Sequence, residues 1–288
     1  MKFEAQLEAG SLRLGAFYNL PVPKVSVILS IFDQPNAFTY ALIGYRRQTF
    51  RDFELIIADD GSDSETKAIV DALKADAGFP VKHVWQENKG YRRAKIANEA
   101  VRVSEGEIIL LSDGDCIPHH DFVGVHAKNG GPGRFCTGGY VRLGPDYCMT
   151  MTKENVAAGG YEGQMTPSDA SRFRWQHLRN LVNVLLGKVK APKVYGCNIS
   201  VGRDAYFAVY GYDENFDGFG KEDSDLRNRL RRHGVKPVSV WGKAWVYHVD
   251  DAIDPKIRAR RIPRTKNLEY YNRPAVPVAC LNGIVKKT

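Results

Sequence analysis

Carboxylates set in short motifs are the residues of this chain whose types and spacing could most directly do chemistry. In LLSDGDCIP, Asp113 and Asp115 flank Gly114 at the end of an apolar run. The glycine lets the backbone turn so that both acids face one ligand. Hard oxygen donors of this kind suit Mg2+ or Mn2+, which bridge phosphate oxygens, although the same residues would also make an ordinary strand-ending turn. In FDGFGKEDSDLRNRL a glycine-rich approach leads into Glu222 and Asp223, and Asp223, Leu226 and Leu230 follow a helical spacing. One helix face then carries the leucines inward and keeps Asp223 in the first turn. Acids there suit the helix dipole, but the dipole does not explain the glycines that deliver them. Asp223 or Glu222 is therefore a candidate general base for an attacking hydroxyl. In WVYHVDD, His248 leaves a strand-like segment. It is either a satisfied structural residue or the nitrogen ligand that a site built on Asp113 and Asp115 lacks.

The elements that must position these groups alternate in type. KVSVILSIF reads as a buried strand, Phe38 to Gln48 as a helix, and FELIIADD as a second strand. A helix from Ser62 to Leu73 is capped by Ser62 or Asp63. The strand VKHVWQE, a helix over Arg93 to Val103 and the strand EIILLSD follow. Such alternation predicts an α/β fold with a mostly parallel, Rossmann-like sheet covered by helices on both faces. Asp33, Asp59, Asp60, Asp113 and Asp115 all follow strand ends, and in open α/β sheets the ligand crevice lies at those ends. Residues 125–195 read as loop-rich, with a helix from roughly Ser171 to Leu186 and a loop from Lys188 to Lys193.

Composition narrows the function classes. With 43% hydrophobic and 26% charged residues the chain is an ordinary globular one. No apolar run approaches the roughly 20 residues that span a bilayer, and MKFEAQLEAG lacks the apolar core of a secretory signal. The 5 cysteines show no CxxC spacing, which suits a reducing compartment without a structural zinc site. A net charge of +8 invites anionic partners. The basic residues do not interleave with aromatics in a nucleic-acid-reading pattern, so nucleic acid is not expected. There is also no phosphate-binding GxxxxGK[ST] loop.

VSVILSIFDQP, IIADDGSDSET, QENKGYRRAKIANEAV, LLSDGDCIPHHDF, GCNISVGRDAY and GYDENFDGFGKEDSDLRNRLRRHG, followed by WVYH, together resemble glycosyltransferase family 2. The second half is similar to the galactosyltransferase-type region shared with bacterial chondroitin polymerase and β-1,4-galactosyltransferases. The resemblance implies a GT-A fold and a metal-dependent inverting transfer of a hexose or N-acetylhexosamine. The donor it implies is a nucleotide diphosphate sugar, with UDP expected, and the ion is Mn2+ or Mg2+. By position it makes Asp60 the uracil contact with Asp59 beside it, and Asp113 and Asp115 the DXD pair. Asp115 is the more direct metal ligand, and His248 completes the set. Asp223 becomes the base, Glu222 the acceptor-sugar contact, and Asn198 and Gly196 neighbours of the donor sugar. Asp33 falls with the nucleotide-binding group. The family's usual Arg-Asn pair is Ala97-Asn98 here, so a basic contact to the nucleotide or diphosphate is missing or comes from Arg92, Arg93 or Lys95.

The expected organisation is an extension over 1–23, a nucleotide-sugar-binding stretch over 24–150, an acceptor-binding and catalytic stretch over 151–250, and a basic tail over 251–288. The expected acceptor is a glycan or lipid-linked saccharide in surface polysaccharide or lipopolysaccharide assembly. The tail, together with Arg227, Arg229, Arg231 and Arg232, suggests a cytoplasmic protein peripheral on the inner face of the membrane, because basic clusters attract anionic lipid. Alternative readings are a sugar nucleotidyltransferase, which would need a glycine-rich phosphate loop where SIFDQPNAF stands, or a basic nucleic-acid or glycan-binding module without catalysis.

Overall fold

The computed structural model describes residues 22–250, 253 and 265–286. Residues 1–21 and the basic run over 254–264 lie outside the described residues.

Apolar, β-branched sequence makes β1 (Val25–Ile31) and β2 (Phe53–Asp59) almost wholly buried strands. Between them α1 (Pro35–Arg46) begins three residues before the expected Phe38, because Pro35 sits at its first position, where a missing N–H costs nothing. α2 (Ser64–Ala75) is capped by Asp63, whose side chain accepts from the Glu65 and Thr66 amides. β3 (Val81–Trp85), α3 (Arg93–Val103) and β4 (Ile108–Asp113) complete the alternating first half. β3, β2, β1 and β4 pair side by side and all parallel.

After the short β5 (Cys116–Pro118) and α4 (Phe122–Asn129), the stretch expected to be loop-rich is ordered. It holds β6 (Arg134–Thr137), β7 (Gly139–Arg142), α5 (Pro145–Thr150), α6 (Lys153–Ala157) and α7 (Pro167–Leu185). Apart from α7, these elements are too short to show periodicity in sequence. α7 starts four residues before the expected Ser171, since Thr166 and Asp169 form a reciprocal capping box ahead of it.

β8 (Ile199–Gly202) and α8 (Arg203–Ala208) lead to α9 (Glu222–Arg232), β9 (Lys236–Ser239), β10 (Trp245–His248) and α10 (Thr265–Tyr271). The large sheet runs β3-β2-β1-β4-β8-β6-β9, with β8 antiparallel to both neighbours. β8 lies beyond residue 150 yet sits between β4 and β6, so the two stretches expected on either side of that position share one sheet. A second sheet, β5-β10-β7, stands against it. One core layer packs α1 and α2 on β1 and β2, and the other packs α3, α8 and α9 on the opposite face.

Of the four arginines expected to join a surface cluster, Arg231 and Arg232 reach the surface of α9 and Arg227 and Arg229 do not. Arg229 is fully buried on Asp225 one turn earlier, and Arg227 is buried with a bond to the Pro192 carbonyl. Helical periodicity turns that side of α9 inward, where ion pairing makes a buried guanidinium tolerable.

Candidate active site

Strand register brings the acids to one edge. Ile31 lies opposite Asp59 and Ser30 opposite Asp113, so β2 and β4 end level with β1. Gly114 then crosses directly over β1, donating to the Ser30 carbonyl at 2.7 Å. A Cβ there would stand 2.5 Å from the Ile31 side chain. The glycine is therefore required by close approach to β1, and not by an unusual backbone angle.

On the far side of that crossing, β5 pairs antiparallel with β10 and sets His248 opposite Cys116. His248 Nε2 consequently lies 3.5 Å from Asp115 Oδ2. Two donor atoms at that separation can share one cation. His248 Nδ1 is buried with no hydrogen-bond partner among the described residues. An oxygen and an imidazole nitrogen make a donor set that fits Mn2+ or Mg2+.

Asp113 faces the other way, into Arg93. The guanidinium reaches Asp113 Oδ1 through Nε at 3.0 Å and Nη2 at 2.8 Å. Its Nη1 reaches Asp223 Oδ1 at 3.2 Å, and Nη2 donates to the Gly196 carbonyl at 3.2 Å. Burial pushes the Asp113 carboxyl up, with Arg93 pulling it down. One buried cation thus joins the two acidic motifs. Of the three basic candidates Arg92, Arg93 and Lys95, it is Arg93 that enters the cluster; Arg92 instead donates its side chain to the Glu87 carbonyl.

The Tyr212 hydroxyl donates to Asp223 Oδ1 at 2.6 Å. Sequence reading did not single it out as a site residue. Tyr212 is held by Asn98, whose amide nitrogen donates to the Tyr212 carbonyl at 2.9 Å while its oxygen accepts from the Tyr212 N–H at 3.0 Å. The asparagine of the Ala97-Asn98 pair is thus a buried anchor for the loop that carries Tyr212. Glu222, at the first position of α9, is 4% exposed, with Oε2 unpartnered among the described residues. Burial and then the charge of Asp223 lift its carboxyl to about 8, against the pull of Arg93. Gly196 closes the wall opposite: a Cβ there would stand 2.6 Å from Asp223 Oδ2.

Three expected ligand contacts are turned to other uses. Asn198 is fully buried, bonding His126 through its oxygen and the Gly139 and Ala244 carbonyls through its nitrogen, so it ties strands together and does not face the crevice. Asp59 is 1% exposed and spends its carboxylate on the Gly61 and Ser62 amides and on His83. Arg92 bends to its own loop, as above. Asp60, 5% exposed, accepts from the Arg92 amide at 2.7 Å and from Gln86 at 2.6 Å, and burial raises its carboxyl. Asp33, at φ 41°, accepts from the Asp63 amide and lies beside the same edge.

A mostly parallel sheet with acids gathered at its carboxyl edge and a second small sheet carrying an imidazole onto them defines a GT-A type of nucleotide-sugar fold. Residues 26–129 match the family model described as glycosyl transferase family 2, and residues 176–253 match that described as N-terminal domain of galactosyltransferase. Over these stretches the chain is similar to glycosyltransferase family 2 and to the galactosyltransferase-type region. It is 28% identical over 236 residues to validoxylamine A glucosyltransferase of Streptomyces hygroscopicus subsp. jinggangensis, covering 78% of this chain and 55% of that protein. It is 23% identical over 244 residues to chondroitin synthase of Escherichia coli, covering 80% and 35%. The chain thus spans about half the length of the first relative and less of the second. The fold is shared with a mannosyltransferase of Pyrobaculum calidifontis solved with GDP-Man and Mn2+ (TM-score 0.55, 16% identity, covering 79% and 57%). It is also shared with S. aureus TarS 1–349 solved with UDP (TM-score 0.56, 14% identity, covering 86% and 69%).

Proposed function

We propose that the chain transfers a hexose or N-acetylhexosamine, with inversion, from a UDP-sugar to a glycan or glycolipid acceptor in surface polysaccharide or lipopolysaccharide assembly. The observation that carries this reading is the meeting of Asp113, Glu222 and Asp223 around Arg93, with Asp115 and His248 paired beside them at the same sheet edge. The match to the family 2 model and similarity to a relative named as a glucosyltransferase support a hexosyl donor. In this scheme residues 24–150 bind the nucleotide sugar, with Asp60 and Asp33 bordering the nucleotide, and residues 151–250 supply the acceptor side and the base.

Asp115 and His248, with Asp113 behind them, would hold Mn2+ or Mg2+. When bound, the ion supplies positive charge to the departing diphosphate. Arg93, itself buried, adds fixed positive charge beside that site. Asp223 keeps one oxygen fixed by Tyr212 and Arg93, and its other oxygen, against Gly196, takes the acceptor's proton. As that proton leaves, the acceptor oxygen bonds to the anomeric carbon and the bond from that carbon to the diphosphate breaks. Glu222, neutral below about pH 8, donates a hydrogen bond to the acceptor sugar and does not compete for the proton. SIFDQPNAF, where a sugar nucleotidyltransferase would be expected to carry a glycine-rich phosphate loop with a basic residue, has neither glycine nor lysine, which favours sugar transfer over the nucleotidyl alternative.

The test is hydrolysis of a panel of nucleotide sugars with Mn2+. Selective release of UDP from one or two of them is the expected result, and absence of turnover with every UDP-sugar would remove the donor assignment.

A further inference from the structure

The outer face of α7 is the least expected surface of the molecule. α7 docks through a narrow strip: Phe173 is buried edge-on to Trp241, His177 bonds Ser239 at 2.9 Å, and Asn180 is buried. Val184 is half-buried beside Pro192, and most of the other apolar side chains are exposed. Trp175 is 75% exposed, Leu185 86% and Leu186 65%, with Leu178, Leu181 and Val182 each at least half exposed. At about 100° per residue these six fall within one arc of the helix. A continuous apolar stripe of this length marks an interaction surface.

Charge says what covers it. No Asp or Glu occurs between Asp169 and Asp204, and the stretch between them carries Arg172, Arg174, Arg179, Lys188, Lys190 and Lys193. Asp169 is itself neutralised by Arg172. Lys188, Lys190 and Lys193 are exposed directly after the stripe ends, and burial, with exposed Lys243 adding to it, depresses the charging of His177. A second copy of the same face would bring these like charges together, whereas an anionic lipid surface neutralises them and accepts the leucines. An amphipathic helix with an apolar face, a tryptophan and a basic rim lies in the plane of such a surface. No described helix is long and apolar enough to cross a membrane.

We propose that the outer face of α7, with its basic exit loop, docks the protein on an anionic membrane surface, whichever sugar is transferred. The same loop continues to Gly196, so the docked segment runs directly into the wall of the site.

The test is vesicle flotation of the full chain at 0.15 M salt, with phosphatidylglycerol–phosphatidylcholine vesicles against pure phosphatidylcholine. Binding at least about tenfold stronger to the anionic vesicles is expected, with a blue shift of tryptophan emission that Trp175→Phe abolishes. Leu185→Gln with Leu186→Gln, and separately Lys188→Glu with Lys190→Glu, should each lower binding about tenfold while the thermal midpoint stays unchanged. No binding, equal binding to both vesicles, or binding that neither double variant reduces would overturn the proposal. So would a dimer in solution that Leu185→Gln with Leu186→Gln converts to monomer, which would make a second copy the occupant.

Discussion

Arg93, the first residue of α3, places Nη1 3.2 Å from Oδ1 of Asp223, the second residue of α9, so the two helices that flank the crevice meet in one ion pair. Because the same guanidinium also holds Asp113, it keeps two like-charged motifs together at a distance that would otherwise repel.

Arg93→Ala should accordingly cost stability as well as turnover. Removing one partner from a buried charge cluster costs about 3–5 kcal/mol, and Asp113 and Asp223 would lose the cation between them, Asp223 keeping only the Tyr212 hydroxyl. Thermal unfolding should show a clear fall in midpoint, and transfer should drop by orders of magnitude. A variant as stable as the parent would mean that Arg93 does not bridge the motifs.

Tyr212→Phe isolates the hydroxyl bonded to Asp223. A hydrogen bond to a charged group is worth about 1.5–3 kcal/mol, so its loss should let the carboxylate swing from its working position and lower kcat about tenfold, with nucleotide affinity nearly kept. The fold should be retained, since Asn98 holds Tyr212 by its backbone. An unchanged kcat would separate Tyr212 from the base.

Gly196→Ala adds a methyl 2.6 Å from Asp223 Oδ2. Overpacking of this kind typically costs about 1–3 kcal/mol. Here it also pushes on the oxygen assigned to accept the proton, so kcat should fall at least tenfold with nucleotide affinity nearly kept. An active Gly196→Ala enzyme would show that this oxygen does not face the acceptor.

Glu222 makes stability depend on pH. Its carboxyl rises from an ordinary 4.5 to about 8 in the folded chain, so between those values the folded state holds a proton that the unfolded state has lost. Its contribution is fully present below about pH 4.5 and is lost as pH rises through about 8. Glu222→Gln should flatten the decline between pH 5 and 8 in denaturant titrations, and the same slope in both proteins would contradict a protonated Glu222.

The strands β1, β2 and β4 were legible because buried parallel strands are near-continuous apolar runs, and α3 because its apolar spacing is regular. The motifs carrying Asp113, Asp115, Glu222, Asp223 and His248 were legible too, since glycines and acids interrupt those patterns. Side-chain direction was not. Asn198 and Asp59 stand in motifs that promise ligand contact, yet register turns both into buried anchors. Tyr212 gave no signal, because its place depends on Asn98 more than a hundred residues away in the chain. The stripe on α7 read as ordinary helix periodicity; only the narrowness of its docking strip shows that the apolar residues face outward.

Calorimetry of UDP binding with and without Mn2+, on Asp115→Ala and Asp223→Asn side by side, tests the central claim most directly. If Asp115 and His248 hold the cation and Asp223 takes the proton, Asp115→Ala should lose the Mn2+-dependent part of the affinity. Asp223→Asn should then bind as the parent does and fail only in transfer. Unchanged affinity in Asp115→Ala, or equal loss in both variants, would contradict this division of roles.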